Sequence, residues 1–274
     1  MKLTYNKIFL EHETGNNPEN KDRLRFFKNL PDTKIENGEQ YLRLVHSPPY
    51  VNFIKRCCEQ GQSIDGDTIL SKKSFEVACY AVGAAIQAAK ENGFALVRPP
   101  GHHASKNKGA GFCVFNNIAI ATKYLLEHGK KVFILDFDLH HGNGTQDIFL
   151  GEENVMYLSL HQSPQYPGTG LKSEKNCINI PLKFGTGDEE YISHLEEKLV
   201  PALEKFKPDV VAVSAGFDGY HKDLGYLGKD VGFKLTTKSY EKIKEILSSY
   251  KTFYVLEGGY NPESIKEGVE IFIT

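Results

Sequence analysis

Short, largely apolar runs punctuate this chain, separated by longer stretches in which apolar positions recur at helical spacing. The runs lie at 94–97, 132–138, 155–160, 177–182, 210–213 and 252–256. Each is short enough for a strand, and near-continuous apolarity points to burial on both faces. Between them the helical period predicts helices over Phe75–Lys90, stopped at Asn92-Gly93, and over Ile118–His128, capped by Asn116-Asn117 and ended by Gly129. Further helices are expected at Thr145–Leu150, from Asp188 to Phe206, at Thr237–Tyr250 and from about Pro262 onward. Apolar strands alternating with helices imply an α/β fold whose mainly parallel sheet is covered on both sides. No linker, repeat or low-complexity tract interrupts the pattern, so one domain over residues 1–274 is the expectation. Gly61–Thr68 and Ser163–Glu174 read as surface loops, the second bordering any site.

Polar residues break the pattern where the strands end. After the run 132–135, Asp136, Asp138 and His140 alternate at period two, which in an extended strand projects them to one side. Charged groups are rarely buried unless paired or bound to metal. His102 and His103 follow the strand at 94–97 after Arg98-Pro99-Pro100-Gly101. Asp218 follows the strand at 210–213, and Glu257-Gly258-Gly259-Tyr260 follows the one at 252–256. In open α/β sheets ligands bind beyond the carboxyl ends of the strands, where all these residues sit.

Composition narrows the class. Lys+Arg number 33 against 35 Asp+Glu, which leaves no basic footprint for nucleic acid. No apolar run approaches the roughly 20 residues of a membrane span. The first residues lack an apolar signal core, so a cytoplasmic protein is expected. The five cysteines, Cys57, Cys58, Cys79, Cys113 and Cys177, include no CxxC pair and are expected as reduced, buried thiols.

Asp138, His140 and Asp218 make a ligand set for a catalytic metal, which uses about three protein ligands and an open position for water. Zinc fits, and the oxygen-rich set also suits Fe(II) or Co(II). Such an ion lowers the pKa of a water and polarises a carbonyl. His102 or His103 can carry the water's proton to a leaving amine, and Tyr260 can donate to a developing oxyanion. Metal-assisted amide hydrolysis follows. Singly, each residue has a plainer reading: Asp218 as a cap or turn former, Tyr260 as a turn tyrosine, His141 as a buried hydrogen-bonded histidine. His12 and His46 are expected at the surface or just behind the site, and His161 and Tyr166 along a loop.

The segments from Arg98 (Arg-Pro-Pro-Gly-His-His-Ala), Gly111 (Gly-Phe-Cys-Val-Phe-Asn-Asn), Asp136 (Asp-Phe-Asp-Leu-His-His-Gly-Asn-Gly-Thr-Gln), Tyr166 (Tyr-Pro-Gly-Thr-Gly), Ser214 (Ser-Ala-Gly-Phe-Asp) and Glu257 (Glu-Gly-Gly-Tyr-Asn) resemble the histone deacetylase superfamily. That superfamily also holds acetylpolyamine amidohydrolases and acetoin-utilisation proteins. The likeness runs from about residue 12 to 261. It implies an arginase-like three-layer αβα fold with a mainly parallel sheet of about eight strands. It makes Asp138, His140 and Asp218 zinc ligands, His103 the general base and acid, His102 its electrostatic partner, and Tyr260 the carbonyl polariser. Asp136 would support His102 and, with the Ser159 side chain and backbone oxygens near Asp138, His140 and Leu160, hold a structural potassium. Gly111, Phe112 and Tyr166 would line the acyl tunnel, and Pro18-Glu19 to Arg23-Leu24 matches an amino-terminal signature.

Three departures stand out. Asn143 occupies the place where one branch of the superfamily has Asp beside the second histidine, and it matches the class II branch. A neutral partner leaves His103 less basic. The stretch after Asp218 lacks Asp-Pro-Leu, and no Glu stands at the gatekeeper position of polyamine-selective members. The expectation is a deacylase acting on acetyl-lysine or a small acetylated amine. Its rivals are an acetylpolyamine amidohydrolase and a non-catalytic acyl-ligand or metal-binding protein. Oligomeric state is not legible.

Overall fold

A computed structural model describes residues 1–274. Its centre is one sheet of seven strands: β1 (Leu3–Thr4), β2 (Phe94–Ala95), β3 (Val132–Asp136), β4 (Val155–Gln162), β5 (Cys177–Leu182), β6 (Val210–Ala215) and β7 (Thr252–Leu256). Their order is β1-β2-β7-β6-β3-β4-β5, and every neighbouring pair is parallel. The sheet therefore has one strand fewer than the resemblance implied, inside the three-layer αβα arrangement it predicted. β3, β6 and β7 are buried at every residue, as their continuous apolar runs require.

The helices are α1 (Pro48–Gln60), α2 (Ser74–Glu91), α3 (Asn117–Glu127), α4 (Asn143–Phe149), α5 (Asp188–His194), α6 (Val200–Phe206), α7 (Thr237–Leu247) and α8 (Pro262–Ile273). α2 packs on α3, while α7 packs on α8 and α5, forming the two outer layers. The long helix expected over 188–206 is interrupted. A π-helical turn at Leu195–Leu199 joins α5 to α6, where Pro201 offers no backbone N–H to the helical ladder. α1 was missed, although Ser47 accepts the Tyr50 N–H as its cap and Val51, Ile54, Cys57 and Cys58 form a buried helical stripe. β2 is shorter than the apolar run suggested, since its register with β1 and β7 covers only Phe94 and Ala95.

The topology positions the chemistry. From β3 the chain adds β4 and β5 on one side, then returns to lay β6 and β7 on the other. Such reversals open a crevice at the carboxyl ends of the strands. β2, β7, β6 and β3 are consecutive neighbours, so the four reactive segments emerge side by side.

Candidate active site

β3 ends at Asp136, two residues earlier than the sequence pattern suggested, and 137–142 forms turns. Asp138 and His140 therefore converge through turn geometry rather than strand alternation. Oδ1 of Asp138 accepts the His140 N–H at 2.9 Å, and Oδ1 of Asp218 accepts the Leu139 N–H at 2.9 Å. His140 Nδ1 faces Asp218 Oδ2 at 2.9 Å and Asp138 Oδ1 at 3.3 Å. All three side chains are buried, and their ligand atoms lie within 4.8 Å of one another.

No lysine or arginine pairs with either carboxylate; their charged contacts are imidazoles. Burial works against the Asp138 carboxylate, and His102 and His140 more than offset it. Burial and then the Asp138 charge push Asp218 above the usual carboxylate range. Two buried carboxylates and one imidazole in this arrangement suit a divalent cation. Gly258 keeps the place clear: a Cβ there would lie 2.5 Å from Asp218 Oδ2 and 2.6 Å from Asp138 Oδ2. Its N–H donates to Asp138 Oδ2 at 2.7 Å.

The histidine pair stands beside this cluster, with ring centroids 4.1 Å apart. His102 Nδ1 lies 3.2 Å from Asp136 Oδ2, which also accepts the Tyr157 hydroxyl at 3.0 Å. Burial lowers the His102 pKa, but Asp138 and Asp136 outweigh it and hold it up at about 10. A divalent cation on Asp138 would offset part of that pull. His103 Nδ1 lies 2.8 Å from Asn143 Oδ1. Burial, then the neighbouring His102 and His140, hold His103 well below its ordinary value. It is therefore a free base at neutral pH. With Nδ1–H donated to Asn143, its Nε2 lone pair is available to the pocket.

Tyr260 is buried and held as a phenol, pushed well above its usual range by burial and then by Asp218 and Asp138. The Arg23 guanidinium lies 5.2 Å from its ring centroid. Arg23 Nε donates to Gly259 O at 2.6 Å, a second guanidinium nitrogen donates to Glu257 O, and Nη1 bonds Glu19 at 2.9 Å. Glu19 in turn takes two bonds from Arg98, at 2.5 and 2.8 Å. Burial raises the Glu19 carboxyl, but Arg98 outweighs it and holds it at about 2.

A pocket of about 300 Å³ opens over these groups, lined by His103, His140, Tyr260, Gly111, Phe112 and Tyr166 among others. Tyr166 meets His103 edge-on at 5.0 Å, and Phe112 meets Tyr260 at 5.7 Å. Gly111 has φ +53°, and Phe112 has φ +69°, a left-handed conformation that costs a side-chain-bearing residue about 1–2 kcal/mol. Thr68 Oγ1 accepts the Phe112 N–H at 3.2 Å and helps hold it. Gln165 lines the mouth, as expected of its loop. Asp67 does so too, from the other expected surface loop, 61–68.

The remaining histidines and the cysteines can also be placed. His12 and His46 are not surface groups: both are 1% exposed, His12 bonding Ser74 and His46 accepting the Asn116 N–H at 2.9 Å. His141 is a buried hydrogen-bonded histidine, on Thr169 and Gln146. His161 joins Ser159 Oγ, at 2.9 Å, to Gly170 O. All five cysteines are free and buried. Sequence reasoning missed three contributors. Glu257 Oε2 accepts the N–H groups of Gly101 and His102 at 2.7 and 3.1 Å and fixes the histidine turn. Tyr157 braces Asp136, and Asp67 stands at the mouth. Only Glu257 carried a signal, as an acid at the end of an apolar strand.

A parallel sheet with an Asp-His-Asp cluster, a histidine pair and a tyrosine at its carboxyl edge is the architecture of a hydrolase site. The model of the histone deacetylase domain matches residues 17–274, and the chain belongs to that family. A probable deacetylase of Archaeoglobus fulgidus is 37% identical, covering 95% of this chain and 81% of that protein. Histone deacetylase 14, chloroplastic, of Arabidopsis thaliana is 36% identical over 82% of this chain and 60% of its own length. The crystal structure of the HDA15 HD domain superposes with TM-score 0.91 at 31% identity, covering 100% of this chain and 90% of that one. The crystal structure of acetylpolyamine aminohydrolase from Burkholderia pseudomallei superposes with TM-score 0.85 at 23% identity, covering 99% and 97%, a likeness of fold.

Proposed function

We propose that residues 1–274 form a single zinc-dependent deacylase domain that hydrolyses the amide of an acetylated amine, either acetyl-lysine or a small acetylated amine. The observation that carries this reading is the meeting of His140, His103 and Tyr260 on one pocket with apolar walls. Asp138, His140 and Asp218 would hold zinc, with Fe(II) or Co(II) as alternatives the same donors accept. When bound, such an ion supplies Lewis-acid polarisation and lowers the pKa of a water.

The chain's own groups do the rest. Gly111, Phe112 and Tyr166 grip an unbranched linker and exclude water around the acyl group. His103 takes the attacking water's proton on Nε2, with Asn143 holding the opposite nitrogen, and returns it to the departing amine. His102, paired with Asp136, supplies a fixed charge beside it. Tyr260 donates its hydroxyl to the developing oxyanion. Asp136, the Ser159 side chain and backbone oxygens near Asp138, His140 and Leu160 would supply an oxygen-only set for a structural potassium. Asp136 and Ser159 are direct register partners on β3 and β4, which favours such a set.

Asp67 favours a second reading, an acetylpolyamine amidohydrolase. It is the one carboxylate lining the mouth, and a substrate cation there would have an opposite charge to offset its desolvation. A non-catalytic binding protein is disfavoured, because a binder has no use for a buried free-base histidine beside an oxyanion donor. No helix is long and apolar enough to cross a membrane, and the cytoplasm is the proposed compartment. The test is a turnover panel of acetyl-lysine peptides, acetylpolyamines and longer acyl-lysines, with metal analysis of the same sample. No turnover on any of them by metal-replete protein would refute the deacylase reading.

A further inference from the structure

One buried carboxylate close to the site has no part in the chemistry above. Asp223 lies in the turn that follows Asp218 and is 3% exposed. Its Oδ1 accepts the backbone N–H of Tyr260 at 2.7 Å, and the Asn261 N–H lies 3.2 Å from each of its oxygens. The surrounding contacts join the same two segments. Asn261 Nδ2 donates to Lys222 O at 2.9 Å, Lys222 Nζ bonds Glu267 at 2.6 Å, and the Tyr220 hydroxyl bonds Glu267 at 2.7 Å.

Capping of α8 does not explain Asp223. That helix already has its cap, since the Asn261 side chain accepts the Glu263 N–H at 3.0 Å. The backbone just before Tyr260 is held from outside, by Asp138 on the Gly258 N–H and by the Phe217 N–H on Gly258 O. Gly258 and Gly259 have no side chains to pack, and Gly259 has φ +110°, so this hinge cannot hold itself. Arg23 secures it from one side through Gly259 O. On the Tyr260 side the hydrogen-bond anchor is Asp223. Burial raises the Asp223 carboxyl to about 7, so the geometry of these N–H contacts, and not a full negative charge, is what ties the segment down.

We propose that Asp223 is a positioning residue for hydrolysis: it fixes the main chain of Tyr260 to the turn bearing Asp218, and so sets the distance between phenol and metal-ligating carboxylate. The role rests on the reading of Tyr260 as the carbonyl polariser. A displacement of about 1 Å at such a group can cost on the order of 10²-fold in rate. Asp223 does not touch the substrate, so its loss appears in kcat rather than in KM.

The experiment compares Asp223→Ala and Asp223→Asn, each in the native chain and in a Tyr260→Phe chain, using an acetyl-lysine peptide and measuring bound metal for every variant. Asp223→Ala is expected to lower kcat by about 10- to 100-fold, with KM within about threefold and metal retained. Asp223→Asn keeps an acceptor oxygen and is expected within about threefold of the native rate. In the Tyr260→Phe chain, Asp223→Ala is expected to add less than about threefold, because groups acting through one another are not additive. Should the alanine variant not fold, Asp223→Ser takes its place in the same comparison. Equal losses in both backgrounds, loss of metal, or an asparagine variant as slow as the alanine one would each overturn the proposal. A Tyr260→Phe chain at full activity would instead remove the reading of Tyr260, and this role with it.

Discussion

Nδ1 of His103 lies 2.8 Å from Oδ1 of Asn143; the imidazole is buried beside two others and the amide is half-buried. A neutral amide orients the ring without adding a charge that would favour the imidazolium. The basicity of His103 is thus set low by its surroundings. Asn143→Asp reverses this. A carboxylate at that distance stabilises protonated His103, so its pKa rises and the acidic limb of kcat/KM moves to higher pH. A pH profile of the variant should show a limb displaced upward by about one unit or more. An unmoved limb would mean that His103 is not the titrating base.

His103→Ala should lower turnover by about 10²- to 10⁴-fold with metal content intact, the range usual for loss of a general base. His102→Ala should cost less, since its contribution is electrostatic. Steady-state kinetics on both variants settle the order, and a His103→Ala protein retaining more than about a tenth of the native rate contradicts the assignment.

Purified protein should carry about one divalent ion per chain, and Asp218→Ala should bind it far more weakly, because an unpaired Asp138–His140 pair offers an incomplete ligand set. Elemental analysis after dialysis against a mild chelator measures this. Stoichiometric metal in the variant would exclude Asp218 as a ligand.

Asp67 should discriminate among amines. Asp67→Asn is expected to reduce kcat/KM for acetylspermidine or acetylputrescine by about tenfold, while uncharged acetylated amines of similar length change little. Equal effects on charged and neutral substrates would show that the carboxylate acts on something other than a substrate cation.

Three buried histidines should cost the fold stability on acidification through the histidine range. Burial depresses the pKa of His12 and His46 to about 4 and of His161 to about 3. Each is neutral in the fold and takes up a proton on unfolding below about 6.5. Their contribution to stability is therefore constant above that pH and declines as pH falls from 6.5 toward 4. His46 accepts the Asn116 N–H and cannot do so once protonated. Its share is about 2 kcal/mol by pH 5. Urea midpoints at pH 7.5 and 5 should differ by less in His46→Gln than in the native chain; the same difference in both would exclude His46 as a contributor.

Much of this was legible from the order of residues, because burial imposes a pattern. The interior runs of β3, β6 and β7 must be apolar on both faces, so they can be read without knowing their neighbours. The acids and imidazoles at their ends were legible as exceptions to the same rule. Asp138, His140, His103 and Tyr260 needed no tertiary information to be singled out.

Only the tertiary structure decided which of these groups meet, and what holds them. Strand order places β2, β7, β6 and β3 side by side, and nothing local in the chain encodes that adjacency. Turn geometry after Asp136, not strand alternation, turns Asp138 and His140 toward Asp218. Glu257, Tyr157, Asp223 and Asp67 were silent as to role because each acts on a partner distant in sequence, through hydrogen bonds or a shared pocket. For His12 and His46 the sequence left open the surface or a place behind the site, and burial decides against the surface for the same reason. Their partners, Ser74 and the Asn116 N–H, come from segments that only folding brings near.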